Sequence, residues 1–248
     1  MGRFDGKVAL LTGAASGMGR AITLRLASEG ATVFAVDIDG AGLEATIAAA
    51  APARVSAHKA DVSSRDQCRA AVAACVEQNG RLDVLGNIAG VVRIHHVADV
   101  TEEEWNLLQS VNVAGPFWLA QAAIPHLIES GGNIVNIASN AGFMGQAYTV
   151  PYCVTKGAVV QLTRALAMEF MKTPLRVNAI APGGTMTGMV TNISFPENID
   201  PELMARYSGM RGIAPPEDIA ALFAFVASEE GRNIHGAILS SDYGVTAG

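Results

Sequence analysis

Short apolar segments alternate with longer segments of helical spacing along the whole chain, and this alternation restricts the fold more than any other feature. The apolar segments end at polar or glycine positions, as buried strands of parallel sheets do. Right-handed crossovers return such a chain to the same sheet, so helices cover both of its faces. Strands are predicted at 7–12, 31–36, around Val55, and at 82–85, 132–137, 176–180 and 237–239.

The intervening segments predict helices, and Pro116 and Pro125 leave the bounds of the fourth one open. We find no internal repeat, low-complexity tract or linker. The chain has 248 residues, of which 50% are hydrophobic, enough for one large core. The sequence therefore predicts a single α/β domain over 1–248, with a doubly wound, Rossmann-like, seven-stranded parallel sheet. The predicted helices are 20–29, 41–51, 66–79, 102–128 and Tyr152 to about Met171.

A glycine-rich turn, Gly13-Ala14-Ala15-Ser16-Gly17-Met18-Gly19, joins the first strand to the first helix. In a doubly wound sheet, backbone N–H groups of this turn and the helix N-terminus meet the pyrophosphate of a dinucleotide. Glycines permit the unusual backbone angles and the close approach that this requires. The spacing is not G-x-G-x-x-G, so a glycine turn without a ligand stays open as the alternative.

Asp37 ends the second predicted strand, where an acidic side chain can accept hydrogen bonds from the adenosine ribose hydroxyls. Its carboxylate repels a 2′-phosphate, and no basic residue directly follows it. The sequence therefore favours NAD over NADP. A solvated loop aspartate is the alternative interpretation.

Tyr152 and Lys156 are four residues apart at the start of a predicted helix, which places them on one face. A lysine charge about 5 Å from the phenol, at an effective dielectric of about 20, stabilises the phenolate by roughly 3 kcal/mol. That lowers the pKa of the tyrosine by about two units, towards the range of a working acid/base. Taken alone, the motif also fits a surface pair.

Several function classes lack their sequence features. A net charge of −6 without a Lys/Arg cluster argues against nucleic-acid binding. No apolar run approaches the roughly 18 residues of a membrane span, and the N-terminus lacks the apolar core of a signal peptide. Three cysteines and five histidines show no metal-ligand spacing, so we expect no metal and a reducing, cytoplasmic location. A hydrolase would need Gly-x-Ser-x-Gly, and Ala15-Ser16-Gly17 lacks its first glycine.

Over its whole length the chain resembles the short-chain dehydrogenase/reductase family. The turn from Thr12 to Gly19 resembles the coenzyme-binding turn of the family, and Asp61 matches the acidic residue beside the adenine ring. Asn87-Ile88-Ala89-Gly90 resembles the Asn-Asn-Ala-Gly segment of the family, with Ile88 in place of the second asparagine. Pro182-Gly183-x-x-x-Thr187 matches the segment that closes over the nicotinamide.

Asn112, Ser139, Tyr152 and Lys156 match the catalytic set of the family. The resemblance implies that Tyr152 exchanges a proton with the substrate oxygen and that Ser139 hydrogen-bonds that oxygen. It also implies that Lys156 lowers the pKa of the tyrosine and binds the nicotinamide ribose, while Asn112 anchors a water that connects Lys156 to solvent. The implied NAD contacts are Gly13, Ser16, Gly17, Met18, Gly19, Asp37, Asp61, Val62, Asn87, Ala89, Gly90, Tyr152, Lys156, Pro182, Gly183, Thr185 and Thr187.

The segment from about 186 to 212 interrupts the alternation, and in the family this region is a mobile lid over the substrate. Its methionines adapt to irregular apolar shapes, which favours an apolar alcohol or ketone, although ordinary packing of short helices explains them as well. Phe143, Met144 and Gln146 are further candidates to line the pocket. The apolar lid residues are Met186, Met189, Val190, Ile193, Phe195, Met204, Tyr207 and Met210.

The run from Ile238 to Gly244 resembles the last strand and tail of the family, which implies a homotetramer. The sequence thus predicts an NAD-dependent oxidoreductase that interconverts a secondary alcohol and a ketone by hydride transfer, with no nucleic-acid or membrane partner. The alternatives are an NADP-dependent 3-oxoacyl-type ketoreductase and a catalytically silent dinucleotide-sensing protein.

Overall fold

The computed structural model describes residues 2–188 and 195–247, and in them the chain forms one parallel sheet. The strand order is β3-β2-β1-β4-β5-β6-β7, and every neighbouring pair is parallel. This confirms the predicted doubly wound, seven-stranded sheet. The order reverses between β1 and β4, which is where such sheets bind ligands. The strands are β1 Val8–Thr12, β2 Thr32–Asp37, β3 Val55–Lys59, β4 Val84–Asn87, β5 Asn133–Ile137, β6 Arg176–Pro182 and β7 Ile238–Ser241.

Two apolar clusters fill the two faces of the sheet. One packs α3, α5 and the end of α6 against it, and the other packs α1 and α8. Cys68 and Cys75 both lie in the first cluster, and burial raises the pKa of their thiols to about 11 and about 12. The helices are α1 Gly17–Ser28, α2 Gly40–Ala50, α3 Arg65–Asn79, α4 Glu102–Gln109, α5 Gly115–Ser130, α6 Val150–Glu169, α7 Pro201–Ala205 and α8 Pro216–Ala227.

The first helix begins earlier than the predicted 20–29. It starts at Gly17, inside the glycine turn, and its first backbone bond runs from Arg20 N to Ser16 O over 3.0 Å. The second and third glycines of the turn are therefore part of the helix N-terminus. The free N–H groups of that terminus face the end of β1, where the turn begins.

The predicted helix at 102–128 is three segments. A capping box at Thr101 and Glu104 starts α4, a π-helix follows at Ser110–Ala114, and α5 continues to Ser130. Pro116 follows the π-helix directly: Gly115 N bonds Ser110 O, and Pro116 has no N–H with which to continue these bonds. π-Helical turns are rare and occur mostly at functional sites, and this one carries Asn112.

The fourth strand begins at Val84, two residues later than the predicted 82–85. The carboxylate of Asp83 accepts a hydrogen bond from Val8 N over 2.9 Å and forms ion pairs with Lys7 and Arg81. The backbone N–H of Asp83 also donates to Val8 O over 2.9 Å, so Asp83 contacts β1 through both its side chain and its backbone. Such buried carboxylates are invisible to hydropathy patterns.

Among the described residues, no helix is long and apolar enough to cross a membrane. The same part of the chain contains no group of three metal-ligating side chains.

Candidate functional site

A cleft of about 340 Å³ lies at the carboxyl ends of β1, β2 and β4. A smaller cavity of about 90 Å³ adjoins it, and the two share Met18, Ile88, Gly90 and Thr187 as lining residues. The predicted residues in the larger cleft are Gly13, Ser16, Gly17, Met18, Gly19, Asp37, Asp61, Val62, Ala89, Gly90 and Thr187. Those in the smaller cavity are Met18, Gly90, Ser139, Tyr152, Lys156, Pro182, Gly183, Thr185 and Thr187.

Three glycines let the backbone of the turn pack closely. Gly13 has φ +68°, and a Cβ there would lie 3.0 Å from the backbone of Ala89. Gly17 has φ +49° and packs against Thr187, while a Cβ on Gly19 would lie 2.0 Å from Gly13 O. The turn is therefore a compact cradle of backbone N–H groups at the start of α1, which fits a pyrophosphate.

The hydroxyl of Thr12 joins the ends of β1 and β4 beside the turn. It accepts hydrogen bonds from Ile88 N at 3.0 Å and Ala89 N at 3.1 Å, and it donates to Gly86 O at 3.3 Å. The segment that carries Ala89 and Gly90 is thereby held against the glycine turn.

Asp37 and Asp61 lie in the larger cleft, and both carboxylates also order the backbone. Asp37 accepts from Ala15 N and Asp39 N, each at 3.0 Å, and Asp61 accepts from Ser63 N at 2.9 Å. The guanidinium of Arg20 donates to Ala15 O at 2.7 Å and to Thr46 at 3.0 Å. Arg20 is therefore engaged with the turn itself.

Asn87 lies away from both cavities, although the family motif that contains it implied a cofactor contact. Its amide is buried and donates to Asn136 Oδ1 over 2.8 Å, and Asn136 in turn donates to Thr163 at 2.9 Å. Asn87 thus connects β4, β5 and α6. Its neighbour Ile88, at the position where the motif departs from the family, lines both cavities.

Ser139 and Tyr152 face each other in the smaller cavity. Ser139 lies two residues after β5, and its hydroxyl accepts from Ala141 N over 3.1 Å, which fixes its rotamer. Tyr152 lies in the first turn of α6. Burial raises the pKa of the Tyr152 phenol to about 12, while its hydrogen bond with Ser139 acts in the lowering direction.

This direction is opposite to the effect that the Tyr–Lys pair alone predicts. The Nζ of Lys156 is 5.6 Å from the centroid of the Tyr152 ring, close to the expected separation. The ammonium is itself buried, however, and desolvation lowers the pKa of Lys156 to about 8. Loss of hydration disfavours both charged forms, and it is the largest cause of the shift in each pKa. The expected lowering of the tyrosine pKa is therefore wrong for this protein structure.

The ammonium of Lys156 donates to Ile137 O over 2.8 Å, at the end of β5. Gly90 lies directly beside it, since a Cβ on Gly90 would be 3.7 Å from Nζ. Lys156 thus lies between the two cavities, within reach of groups in either one.

Asn112 joins α6 to the loop that follows β4. Its amide exchanges two hydrogen bonds with the backbone of Val91, each 2.8 Å long, and donates to Thr155 Oγ1 at 3.1 Å. Only 1% of its surface is exposed. Thr155 precedes Lys156 directly, so Asn112 lies next to the lysine backbone. The role of Thr155 has no signal in the sequence.

The residues that flank the segment predicted as a lid are paired with each other. Thr185 forms a parallel bridge with Ala214, and Met186 N donates to Ala214 O over 2.8 Å. Thr185 also lines the smaller cavity. Among the apolar lid residues, Met186, Phe195 and Met210 expose at least half of their surface. Met189, Val190 and Ile193 lie outside the described residues.

Comparison with known proteins gives one consistent result over the whole chain. A family model described as enoyl-(acyl carrier protein) reductase matches residues 13–246. The 3-oxoacyl-[acyl-carrier-protein] reductase FabG of Thermotoga maritima is 36% identical over 246 residues, which cover 98% of this chain and 99% of that protein. The meso-2,3-butanediol dehydrogenase of Serratia marcescens is 36% identical over 245 residues, covering 99% and 96%.

The fold agrees with a solved structure of a similar protein. A short chain dehydrogenase from Mycobacterium paratuberculosis, bound to NAD, superposes with a TM-score of 0.93 at 34% sequence identity. The match covers 100% of both chains.

The close packing of the turn predicts different costs for two glycine substitutions. Gly19→Ala should lower the free energy of unfolding by about 3 kcal/mol, because its Cβ collides with backbone that cannot move freely. Gly40→Ala is the matched control, since its Cβ meets only Lys59 Cδ, at 3.8 Å. It should be neutral or raise stability by about 0.5 kcal/mol. Urea denaturation at one protein concentration measures both, and equal losses would contradict the compact turn.

Proposed function

Because the chain belongs to the short-chain dehydrogenase/reductase family, we propose that it is an NAD-dependent oxidoreductase that interconverts a secondary alcohol and a ketone. One observation carries the proposal. Ser139, Tyr152 and Lys156 converge in a cavity that shares its wall with a cleft built on a glycine turn and Asp37. Secondary alcohol chemistry needs a hydride site and a proton site side by side, and these two cavities are adjacent.

For each of these side chains we propose the role that the resemblance to the family implies. A bound nicotinamide supplies the hydride chemistry. Tyr152 donates a proton to the substrate oxygen during reduction and accepts one during oxidation. Ser139 holds that oxygen by a hydrogen bond as charge develops on it. Lys156 holds the nicotinamide ribose and supplies a positive charge near the phenol.

Asn112 acts through the backbone. Its bonds to Val91 and Thr155 fix the loop after β4 against α6, and we propose that a water held in this region connects Lys156 to solvent. The tyrosine then regains its proton by way of the lysine side of the cavity. The presence of the whole set Asn112, Ser139, Tyr152 and Lys156 disfavours a catalytically silent sensor.

Asp37 supports NAD as the cofactor. Its carboxylate lines the cleft and follows β2, where it opposes a 2′-phosphate by charge and accepts from ribose hydroxyls. The M. paratuberculosis neighbour is bound to NAD, which supports the same choice.

The second candidate is an NADP-dependent 3-oxoacyl-type ketoreductase, as the similarity to FabG suggests. One observation favours it. Lys59 on β3 is the register partner of Asp37 on β2, and its exposed side chain lies near Gly40 at the start of α2. A cation there offers a 2′-phosphate one partner, although the carboxylate of Asp37 lies next to it.

We also propose that residues from about 186 to 212 form the substrate lid, that the substrate is apolar, and that the protein is a cytoplasmic homotetramer. Exposed aromatic side chains on α4 and α5, among them Trp105 and Phe117, support an interface between copies. The described part of the chain has three free cysteines, which suits a reducing compartment. Light scattering that shows a stable monomer would rule out the tetramer.

The role of Tyr152 predicts how alcohol oxidation depends on pH. Oxidation needs the phenolate, whose fraction rises about tenfold per pH unit below the raised pKa of about 12. Initial rates of oxidation should therefore climb between about pH 7 and 9, while ketone reduction, which uses the neutral phenol, should not rise. Absorbance of the reduced nicotinamide measures both with a panel of secondary alcohols and their ketones.

Tyr152→Phe should lower kcat/KM by about 100- to 10,000-fold in both directions and leave NADH binding intact. Tyr243→Phe, a substitution far along the chain in the exposed tail, is the control. Oxidation that is already constant below pH 7 would mean that other charges bring the phenol pKa below neutral. Full activity in Tyr152→Phe would rule out the tyrosine as acid/base.

The charge of Asp37 predicts the cofactor preference. Asp37→Asn keeps an oxygen that can accept from Ala15 N and removes the charge. The ratio of kcat/KM for NADPH to that for NADH should rise about 10- to 100-fold, because a repulsion of roughly 3 kcal/mol disappears. Asp39→Asn removes the neighbouring exposed charge and should change the ratio less. A wild-type enzyme that prefers NADPH would contradict the assignment of NAD.

A further inference from the structure

Three loops leave the carboxyl ends of the neighbouring strands β4, β5 and β6, and each contributes to the catalytic cavity. The loop after β4 contributes Gly90, the loop after β5 contributes Ser139, and the loop after β6 contributes Thr185. Because the three strands are adjacent in the sheet, the loops rise around the cavity from neighbouring positions. Contacts between their outer parts therefore lie on the side from which a substrate enters.

The outer parts of the three loops meet at Tyr148. Its hydroxyl accepts a hydrogen bond from Asp200 N over 2.8 Å, and its carbonyl accepts from His95 N over 2.9 Å. Its ring stands edge-on to the ring of His96, with centroids 5.1 Å apart and an interplanar angle of 86°. We name the contacts among His95, His96, Tyr148, Glu197 and Asp200 the Tyr148 junction.

Two further bonds strengthen the junction. The Nε2 of His96 donates to Glu197 O over 2.9 Å, which joins the loop after β4 directly to the loop after β6. Tyr207 donates to Ala147 O over 3.0 Å, next to Tyr148. The loop after β6 is thus held at its base by Thr185 and Ala214, and on its outer side by Tyr148 and Ala147.

Tyr148 adopts a backbone conformation that large side chains rarely take. Its φ is +66°, in the left-handed region that favours glycine. Strained residues of this kind persist where surrounding contacts hold them, and they cluster at active sites and ligand clamps. Here the contacts that hold the strained residue are those of the junction. The contacts of the junction thus offset the cost of the strained backbone at Tyr148.

We infer that Tyr148 is a specificity-determining residue that closes the substrate entrance over small, free ketones and alcohols. This inference rests on the proposed function and names its substrate class. A small ketone needs only the smaller cavity with Ser139 and Tyr152, whose lining does not include Tyr148. When a ketone is attached to a long thioester arm, that arm must extend out between the loops, at the place where the junction joins them. The site therefore discriminates against carrier-bound substrates such as those that the name of the FabG relative implies.

The test compares two ketones in wild type and in Tyr148 variants. One is the best small ketone of the panel, and the other is acetoacetyl-coenzyme A, each reduced with NADH. Wild type should prefer the small ketone. Tyr148→Gly removes the side chain and suits the positive φ, so the ratio of kcat/KM for the thioester to that for the small ketone should rise about 10- to 100-fold.

Two variants make the test specific. Tyr148→Phe keeps the ring on His96 and removes only the hydrogen bond to Asp200 N. The ratio of kcat/KM for the thioester to that for the small ketone should therefore rise less than in Tyr148→Gly. Hydrogen exchange of the Asp200 amide should become faster. Tyr243→Gly is the matched control, because Tyr243 also has a positive φ, +54°, and lies outside the junction. Its ratio should stay that of wild type.

A wild type that prefers the thioester would overturn the inference, as would a ratio that is unchanged in Tyr148→Gly or changed equally in Tyr243→Gly. Absence of turnover with every ketone would count against the proposed function instead. In that case the affinities of the same two ketones for the enzyme–NADH complex, followed by NADH fluorescence, decide the inference. Tighter binding of the thioester by wild type would overturn it.

Discussion

The hydroxyl of Thr12 supports the contact on which the rest of the site depends. The paired register of β1 and β4 ends at Leu11 and Gly86, so the backbone groups beyond it need other partners. Thr12 replaces those partners by bonding Gly86 O, Ile88 N and Ala89 N. The segment after β4 is thereby pressed on Gly13, at a distance that only a glycine permits. This one contact between strand ends positions the glycine turn and Gly90, which line the cleft.

The sequence alone predicts the features that repeat along the chain and those that follow from a parallel sheet. The parallel strands follow from the alternation, whereas their order in the sheet was not predicted. Residues that follow strand ends, such as Asp37 and Ser139, lie on one side because parallel strands present their carboxyl ends there. The π-helix around Asn112 was not predictable, because the hydropathy pattern of 102–128 is that of one continuous helix. The inward position of Asn87 was not predictable either, since its partner Asn136 lies on another strand.

For Tyr152 and Lys156, the sequence predicts their separation but not their pKa values. Helical spacing was sufficient to place Tyr152 and Lys156 at about the expected separation. The pKa of the phenol depends on how much water the fold removes, which no local pattern reveals. Burial disfavours the phenolate and the ammonium alike, so it stabilises the neutral tyrosine and the neutral lysine relative to their charged forms. The structure thus favours a tyrosine that donates its proton readily only when charge develops on the substrate oxygen beside Ser139.

The catalytic helix and the substrate entrance belong to one closed chain of contacts. Thr155 on α6 bonds Asn112, and Asn112 bonds Val91 at the start of the loop after β4. That loop continues to His95, whose N–H bonds Tyr148 O, and Tyr148 leads directly back into α6. The Tyr148 junction and the helix that carries Tyr152 are therefore linked by hydrogen bonds and short stretches of backbone. Asn112 is one of these links, through Val91 and Thr155.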